Sequence, residues 1–208
     1  MIDFFNFQKS YGTHKVLDIP ELTIKTGIHW IRGVNGSGKT TLLKSITGII
    51  PFDGDIIIND INLKRHPILS RRQVGYCEAE PVYPVFLSAS DIVGFIAYVR
   101  DIKRWEVDKM VKFFGFDHYM EQATGGYSTG MLKKLALCIA FLGNLPWILL
   151  DEPFAFIDRE TEEKVYDMIN QKSNEGISLI ISSHHELENE AIKPDNTYLI
   201  RNTQLIKV

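Results

Sequence analysis

A segment near the start of the chain carries the glycines, lysine and threonine of a phosphate-binding loop. Gly33, Gly38, Lys39 and Thr40 satisfy the pattern G-x-x-x-x-G-K-[ST], and Gly36 adds a glycine inside it. Glycines let backbone N–H groups turn towards phosphate oxygens, and a helix that follows presents its positive N-terminus to the same anion. In such a loop the lysine reaches the β- and γ-phosphates, and the threonine hydroxyl binds Mg²⁺. The predicted ligands are Gly33, Val34, Asn35, Gly36, Ser37, Gly38, Lys39, Thr40 and Thr41.

Two carboxylates follow an apolar run that has the length of a buried strand. Residues 147–150 are apolar, and Asp151 and Glu152 come directly after them. Because the carboxyl ends of parallel strands meet at one edge of a sheet, both carboxylates are predicted to lie beside the phosphate-binding loop. Asp151 can hold Mg²⁺ through a water, and Glu152 can polarise an attacking water. Acidic residues also end strands simply where a chain re-enters solvent. The pair is therefore evidence for a catalytic site only because the glycine loop is present as well.

The phosphate-binding loop lies between a predicted strand and a predicted helix. Residues 28–32 form a short apolar strand with Trp30 at its centre. After the loop, apolar residues recur at the spacing of one helix face, at Leu42, Leu43, Ile46, Ile49 and Ile50. A glycine-rich turn with an exposed lysine is the alternative interpretation, and this context weighs against it.

Strands and helices alternate along the rest of the chain. Residues 177–181 form a second apolar run of strand length, which is typical of parallel strands covered on both faces. The alternation predicts an α/β fold with a right-handed parallel core, and the strand-like, turn-rich first 27 residues predict an antiparallel β layer. A helical pattern from Ser88 predicts a helical subdomain over about 88–134. We expect residues 1–208 to form a single domain.

The overall composition narrows the class of protein. The 208 residues are 45% hydrophobic and 24% charged, which predicts a folded globular chain. A net charge of −3 and a pI of about 6.1 argue against a protein that mainly neutralises nucleic acid, so no nucleic-acid partner is expected. Cys77 and Cys138 lie in unrelated contexts, which argues against disulfides or structural zinc. The apolar stretch 135–150 is interrupted and too short to span a membrane, and no signal peptide is predicted.

Taken together, these residues resemble the ATP-binding cassette family over essentially the whole chain. The segment Tyr127-Ser-Thr-Gly-Met131 is similar to the signature loop of that family, and a helix and the Asp-Glu strand follow it. The resemblance implies that Ser128 and Gly130 bind the γ-phosphate held by the opposite subunit. Thr129 and Met131 depart from the common Gly-Gly-Gln ending. An ordinary capped helix is the alternative for this segment on its own.

Further residues match the family in order along the chain. Tyr11 resembles the aromatic residue that stacks on adenine, with a core or surface tyrosine as the alternative. Asp158 lies in a segment similar to the loop that crosses the dimer interface, and it is also a plausible helix N-cap. His184 resembles the histidine that contacts the γ-phosphate, although the adjacent His185 leaves the register open by one residue. The histidines without an expected site role are His14, His29, His66 and His118.

One position departs from the family in a way that affects the chemistry. The family has a glutamine where this chain has Ala79, flanked by Glu78 and Glu80. Alanine cannot ligate a metal or hydrogen-bond a water. Either Glu80 or Glu78 substitutes for the glutamine, or hydrolysis is slower, or the coupling to a partner is altered.

The resemblance implies both a fold and a function. The fold is that of a P-loop NTPase with a parallel core, an N-terminal antiparallel β layer and a helical subdomain. The implied function is ATP hydrolysis, with ATP and Mg²⁺ bound, that powers transport across a membrane. The implied partners are a second nucleotide-binding subunit, in a homodimer or heterodimer, and a separate transmembrane permease that docks on the helical subdomain and residues 77–84. The chain would then be cytoplasmic and peripheral to the cell membrane.

Two other functions use the same phosphate-binding loop. A soluble cassette ATPase acting on nucleic acid or the ribosome is disfavoured because only 89 positions separate Lys39 from Ser128, which leaves no room for a long coiled coil, and because the charge balance is acidic. A small-molecule kinase is disfavoured because it would not need the signature loop, Glu152 and His184 in this order.

Overall fold

The computed structural model describes residues 1–183 and 192–208. The strands in these ranges are β1 (Ile2–Tyr11), β2 (His14–Ile24), β3 (Ile28–Arg32), β4 (Asp53–Ile58), β5 (Ile61–Asn62), β6 (Val74–Cys77), β7 (Trp147–Asp151), β8 (Ser178–Ser183), β9 (Asn196–Arg201) and β10 (Gln204–Lys207). The α-helices are α1 (Lys39–Ile46), α2 (Pro67–Arg71), α3 (Ala89–Arg100), α4 (Arg104–Phe114), α5 (Thr129–Phe141) and α6 (Arg159–Asn174). Short 3₁₀ turns cover Asp117–Tyr119 and Thr124–Gly126.

The strands form two sheets. The first is antiparallel, with the order β2-β1-β4-β5. The second has the order β10-β9-β3-β8-β7-β6, in which every neighbouring pair is parallel except the terminal β9–β10 hairpin. The predicted α/β fold with a parallel core and an antiparallel layer at the N-terminus is confirmed.

The parallel sheet is buried on both faces. Along β7, Trp147 and Leu149 belong to one apolar cluster, whereas Ile148 and Leu150 belong to another. Successive side chains of a strand point to opposite faces, so the two clusters lie on the two sides of the sheet. The first cluster is shared with the antiparallel sheet and α1, and the second with α3 to α6. This double cover explains why residues 147–150 of β7 and residues 179–181 of β8 are apolar without alternation.

Helix ends follow local capping chemistry. Ser88 caps α3, because its hydroxyl accepts from the Asp91 amide and the Asp91 carboxylate accepts from the Ser88 amide in return. Val107 and Val111, four residues apart, are both buried on α4. The prediction that α1 continues through Ile49 is wrong, since the helix ends at Ile46 and the chain turns at Gly48, whose φ is 67°.

The carboxyl ends of three parallel strands meet at one edge of the sheet. Arg32 at the end of β3 is paired with Ser183 in β8, and Asp151 at the end of β7 is paired with Ser182 in β8. The segment after β3 and the segment after β7 therefore leave the sheet on either side of β8, at the place where ligands bind in sheets of this class.

Both cysteines are buried and unpaired. Cys77 ends β6, and burial raises the pKa of its thiol to about 11. Burial also raises the pKa of the Cys138 thiol on α5. Within residues 1–183 and 192–208, no helix combines the length and apolar character needed to cross a bilayer.

Candidate active site

The loop between β3 and α1 folds around the ammonium group of Lys39. Gly38 precedes α1 with φ 109°, a conformation that an L side chain rarely adopts. Lys39 is 6% exposed, and its Nζ donates to the carbonyl oxygens of Gly33 at 2.7 Å and of Val34 at 3.4 Å. The lysine that the sequence predicts to bind phosphate is therefore held at the start of the helix by its own loop.

Glu152 approaches the same ammonium from β7. Its Oε1 lies 3.5 Å from Lys39 Nζ. The Glu152 backbone has φ 44°, in the left-handed region that non-glycine residues adopt rarely and at a cost of about 1 kcal/mol or more. Its amide donates to the Ser182 carbonyl at 3.1 Å, so β8 holds this conformation in place. The strained turn brings a carboxylate to the phosphate-binding loop.

Asp151 is fully buried beside Glu152. One carboxylate oxygen, Oδ1, accepts from the Ser182 hydroxyl. The other, Oδ2, is buried and has no hydrogen-bond partner among the described residues. Burial, and then the Asp151 charge, raise the pKa of the neighbouring Tyr76. A buried carboxylate oxygen left unpaired is costly, so this one suits a cation or a metal-bound water.

The loop and Glu152 line one cavity of about 600 Å³, which is within the usual range for small-molecule sites. Tyr11 lines its edge with 52% of its surface exposed, and the Lys9 ammonium lies 4.6 Å from the centre of its ring. The residues that line this cavity are Tyr11, His14, Val16, Asn35, Gly36, Ser37, Gly38, Lys39, Thr40, Thr41, Ala79, Glu80, Glu152, Ala155 and Phe156.

The segment that resembles a signature loop begins α5. The Ser128 hydroxyl accepts from the Met131 amide at 3.2 Å and so caps the helix. Gly130 packs against the turn after β7, since a Cβ at this position would lie 3.0 Å from the Phe156 carbonyl oxygen. Ser128 and Gly130 do not line the cavity, whereas Phe156 does. The turn after β7 therefore lies between the cavity and the signature segment.

Asp158 ends that turn and caps α6. Its Oδ1 accepts from the Thr161 amide at 2.8 Å, and its Oδ2 lies 3.0 Å from the Lys134 ammonium. The hydrogen bonds from Thr161, followed by the contact with Lys134, hold the pKa of Asp158 well below its usual range. Its side chain also does not line the cavity.

Comparison with known protein families identifies the family to which a chain with this site belongs. Residues 17–155, which are more than half of the chain, match the family described as ABC transporter. The chain belongs to the ABC transporter family. It is accordingly an ABC-type ATPase, and the resemblance inferred from the phosphate-binding loop, the signature segment and the Asp-Glu strand is confirmed.

Individual ABC proteins match nearly the full chain at moderate identity. ABC transporter G family member 20 of Dictyostelium discoideum is 28% identical over 99% of this chain, which spans only 29% of that relative. The lipopolysaccharide export system ATP-binding protein LptB of Escherichia coli K12 is 29% identical, over 97% of this chain and 87% of LptB. A dimeric, post-hydrolysis structure of the ATP-binding cassette MJ0796 bound to ADP and Pi superposes with a TM-score of 0.85 at 18% identity, over 99% of this chain and 96% of that one, which shows the same fold.

The structure brings most of the predicted ABC site residues to one place. Gly33 and Val34 do not line the cavity, but their carbonyl oxygens accept from Lys39. His184 and His185 lie outside the described residues. His14, for which no site role is expected, is placed opposite Tyr11 by β-pairing and lines the cavity, and its lack of a role stays a prediction. Its position could have been anticipated from the tight turn that joins β1 to β2.

The three residues around the position of the missing glutamine make different contacts. Ala79 and Glu80 line the cavity, whereas Glu78 does not. The Glu78 carboxylate lies 3.0 Å from the Lys44 ammonium on α1. Sequence reasoning missed this ion pair, and it also missed Lys133, which is fully buried on α5. The sequence does contain a signal for the burial of Lys133. It lies four residues before the buried Leu137 and so falls on the apolar face of the helix.

Proposed function

We propose that the chain is the nucleotide-binding subunit of an ABC transporter and that it binds and hydrolyses ATP in the cavity between the phosphate-binding loop and Glu152. The observation that carries this proposal is the 3.5 Å approach of the Lys39 ammonium and the Glu152 carboxylate beneath the loop. The first group has the charge to bind phosphate oxygens, and the second has the basicity to orient a water. Their contact supports a shared site for phosphate and nucleophile.

In this proposal, different residues bind the phosphates, activate the water and contact the base. Lys39 binds the β- and γ-phosphates, together with backbone amides of residues 33–41. Glu152 orients a water for attack on the γ-phosphorus and accepts its proton, while the bond to the β,γ-bridging oxygen breaks to give ADP and phosphate. When Lys39 turns to the phosphates, it exchanges its contact with the Glu152 carboxylate for contacts with phosphate oxygens. Tyr11 stacks on the base, for which its exposed ring is suited.

The donor set also fits Mg²⁺. Thr40 is exposed in the first turn of α1, and the buried Asp151 has an oxygen without a hydrogen-bond partner among the described residues. Oxygen donors of this kind, one hydroxyl and one carboxylate acting through water, suit Mg²⁺. When bound, the ion would neutralise charge on the phosphates.

Replacing Lys39 by alanine tests the phosphate site. The Lys39→Ala variant should lose roughly tenfold to a hundredfold in ATP affinity, because a charge-assisted contact with phosphate is worth about 1.5–3 kcal/mol. A fluorescent ATP analogue titrated against the purified chain measures this loss. Lys112→Ala, which removes an exposed lysine of α4, should bind as the parent does. Unchanged affinity in Lys39→Ala would refute the assignment.

We further propose that two copies bind ATP head to tail. Ser128 is exposed at the N-terminus of the 13-residue helix α5, where a hydroxyl and free amides favour an anion, and neither Ser128 nor Gly130 lines its own cavity. A second copy would place these groups, and the Asp158 turn, against the γ-phosphate. The dimeric MJ0796 cassette bound to ADP and Pi supports this arrangement.

Glu152→Gln should trap the dimer. The amide cannot take a proton from water, so hydrolysis should fall by about two orders of magnitude or more while ATP still binds. Light scattering coupled to size exclusion should then show a dimer in ATP and a monomer without it. Adding Ser128→Arg to the same variant should prevent dimer formation by filling the anion site. A Glu152→Gln chain that hydrolyses ATP at the parental rate would show that another residue orients the water.

We propose that Glu80, rather than Glu78, takes the place of the family's glutamine. Glu80 faces the cavity, and Glu78 is engaged with Lys44. Glu80→Ala should therefore lower kcat by about tenfold, as expected for loss of a group that orients water or metal. Glu78→Ala should leave kcat near the parental value, and Ala79→Gln should compensate for Glu80→Ala. Steady-state hydrolysis at several Mg²⁺ concentrations distinguishes these outcomes. If substitutions at residues 78, 79 and 80 all leave kcat unchanged, these residues do not occupy the position of the family's glutamine.

We propose that a transmembrane permease docks on the surface that includes residues 82–86 and α3, which would hold the chain at the cytoplasmic face of the cell membrane. Large apolar side chains are exposed there, including Phe86 at 78% and Tyr98 at 86%. Exposed apolar groups concentrated in neighbouring segments mark protein interaction sites.

Charged substitutions test this surface. Phe86→Asp and Tyr98→Asp should each retain ATP hydrolysis but reduce co-purification with the proposed transmembrane permease by roughly tenfold to a hundredfold, since each removes an apolar contact of roughly 1.5–3 kcal/mol. Val208→Asp changes an exposed apolar residue outside this surface and serves as the control. Co-purification that is equally strong in all four chains would contradict the docking surface.

A further inference from the structure

Lys133 is a charged residue in the interior of the protein. It lies on α5, one turn after Ser128, and its side chain is completely buried. Its ammonium group donates to the carbonyl oxygens of Glu78 at 2.8 Å, Asp151 at 3.0 Å and Ala79 at 3.2 Å. A lysine has three N–H donors and no acceptor, so every donor of the group has a partner.

Burying an ammonium group at this position is energetically unfavourable. Removing the charge from water costs several kcal/mol, and an apolar residue of similar volume would avoid that cost. Residues 135–141 on the same helix are all buried and all apolar or cysteine. The cost of the charge indicates that this site in the helix needs hydrogen-bond donors rather than volume.

The three carbonyl groups belong to segments that are distant in sequence. Asp151 lies 18 residues from Lys133 along the chain, and Ala79 and Glu78 lie 54 and 55 residues away. One side chain therefore joins α5, the end of β7 and the segment after β6. Asp151 is the proposed metal group, Glu152 is the proposed water-orienting group, and Glu80 faces the cavity. The Lys133 contacts join these segments through main-chain carbonyl groups alone.

We propose that Lys133 is a positioning residue that couples the cavity of one copy to the signature segment of the same copy. The ammonium fixes the backbone of residues 78 and 79 and of Asp151 relative to α5. Because α5 begins with Ser128 and Gly130, a shift at the cavity on nucleotide binding is transmitted to the groups that would complete the site of the second copy. This inference rests on the proposed function, in particular on the head-to-tail dimer.

Lys133→Met tests the coupling, since methionine keeps an unbranched apolar chain and removes all three donors. ATP affinity of the separate subunit should change by less than about threefold, because Lys133 does not line the cavity. The kcat should fall by about tenfold to a hundredfold, as expected when catalytic groups are misplaced by a fraction of an ångström to an ångström. Lys133→Arg, which keeps the charge and the donors, should recover most of the loss.

Lys172→Met is the matched control for stability. Lys172 on α6 is 8% exposed, donates to the Gly143 carbonyl at 3.3 Å and pairs with Glu175, and it lies outside the proposed site. The Lys172→Met variant should have a lower melting temperature, because the contacts of a buried lysine are lost, but its kcat should be unchanged. Lys133→Met should in addition speed amide hydrogen exchange in a peptide covering residues 77–84, which a general loss of stability in Lys172→Met would not single out.

The outcomes separate this inference from the proposed function. A parental chain that neither hydrolyses ATP nor dimerises with it would overturn the proposed function. A parental chain that does both, beside a Lys133→Met chain with unchanged kcat and unchanged exchange at residues 77–84, would overturn the coupling role alone. If Lys133→Met does not fold, Lys133→Gln gives a second comparison, because its two N–H donors cannot serve all three carbonyl groups. This variant should lose part of kcat and exchange faster at residues 77–84, and parental kcat with unchanged exchange there would overturn the role.

Discussion

The arrangement at the edge of the parallel sheet depends on one buried positive charge. The Lys39 ammonium contacts two carbonyl oxygens of its own loop and the Glu152 carboxylate, and little of it reaches water. A cation so enclosed needs anionic or dipolar neighbours, and these are the groups that a nucleotide's phosphates could replace. The loop conformation, the turn at Glu152 and the pairing of β3, β8 and β7 all serve to bring those neighbours to one point.

The centre of the parallel sheet adds a second constraint. β8 lies between the strand that leads to the phosphate-binding loop and the strand that ends in two carboxylates. Ser182 at its end donates to the Asp151 carboxylate, and its carbonyl oxygen accepts from the Glu152 amide. A single small residue thereby orients one acid and stabilises the unusual backbone of the next. Strain of this kind persists only where surrounding structure determines it, which ties the geometry of the site to the packing of the core.

The sequence predicted those parts of the site whose residues are close together along the chain. The phosphate-binding loop, the pair Asp151 and Glu152 and the cap at Ser128 each follow from local spacing, and α3, α4 and the start of α5 lie in the range 88–134 that the helical pattern indicates. Contacts between distant segments could not be read in this way. The contact of Lys133 with three carbonyl groups and the ion pair of Lys44 with Glu78 arise from tertiary packing, which one-dimensional patterns do not encode. The end of α1 was misplaced because apolar spacing continued past a glycine that turns the chain.

The state of the two cysteines has a consequence for chemistry beyond ATP. Thiols react with oxidants and alkylating reagents as thiolates, and burial keeps Cys77 and Cys138 protonated at neutral pH. Although Cys77 ends the strand that leads into the cavity wall, the folded subunit should tolerate oxidising conditions without sulfenylation there. A single cysteine introduced on the surface would then carry a spectroscopic label selectively, with both native thiols left in place.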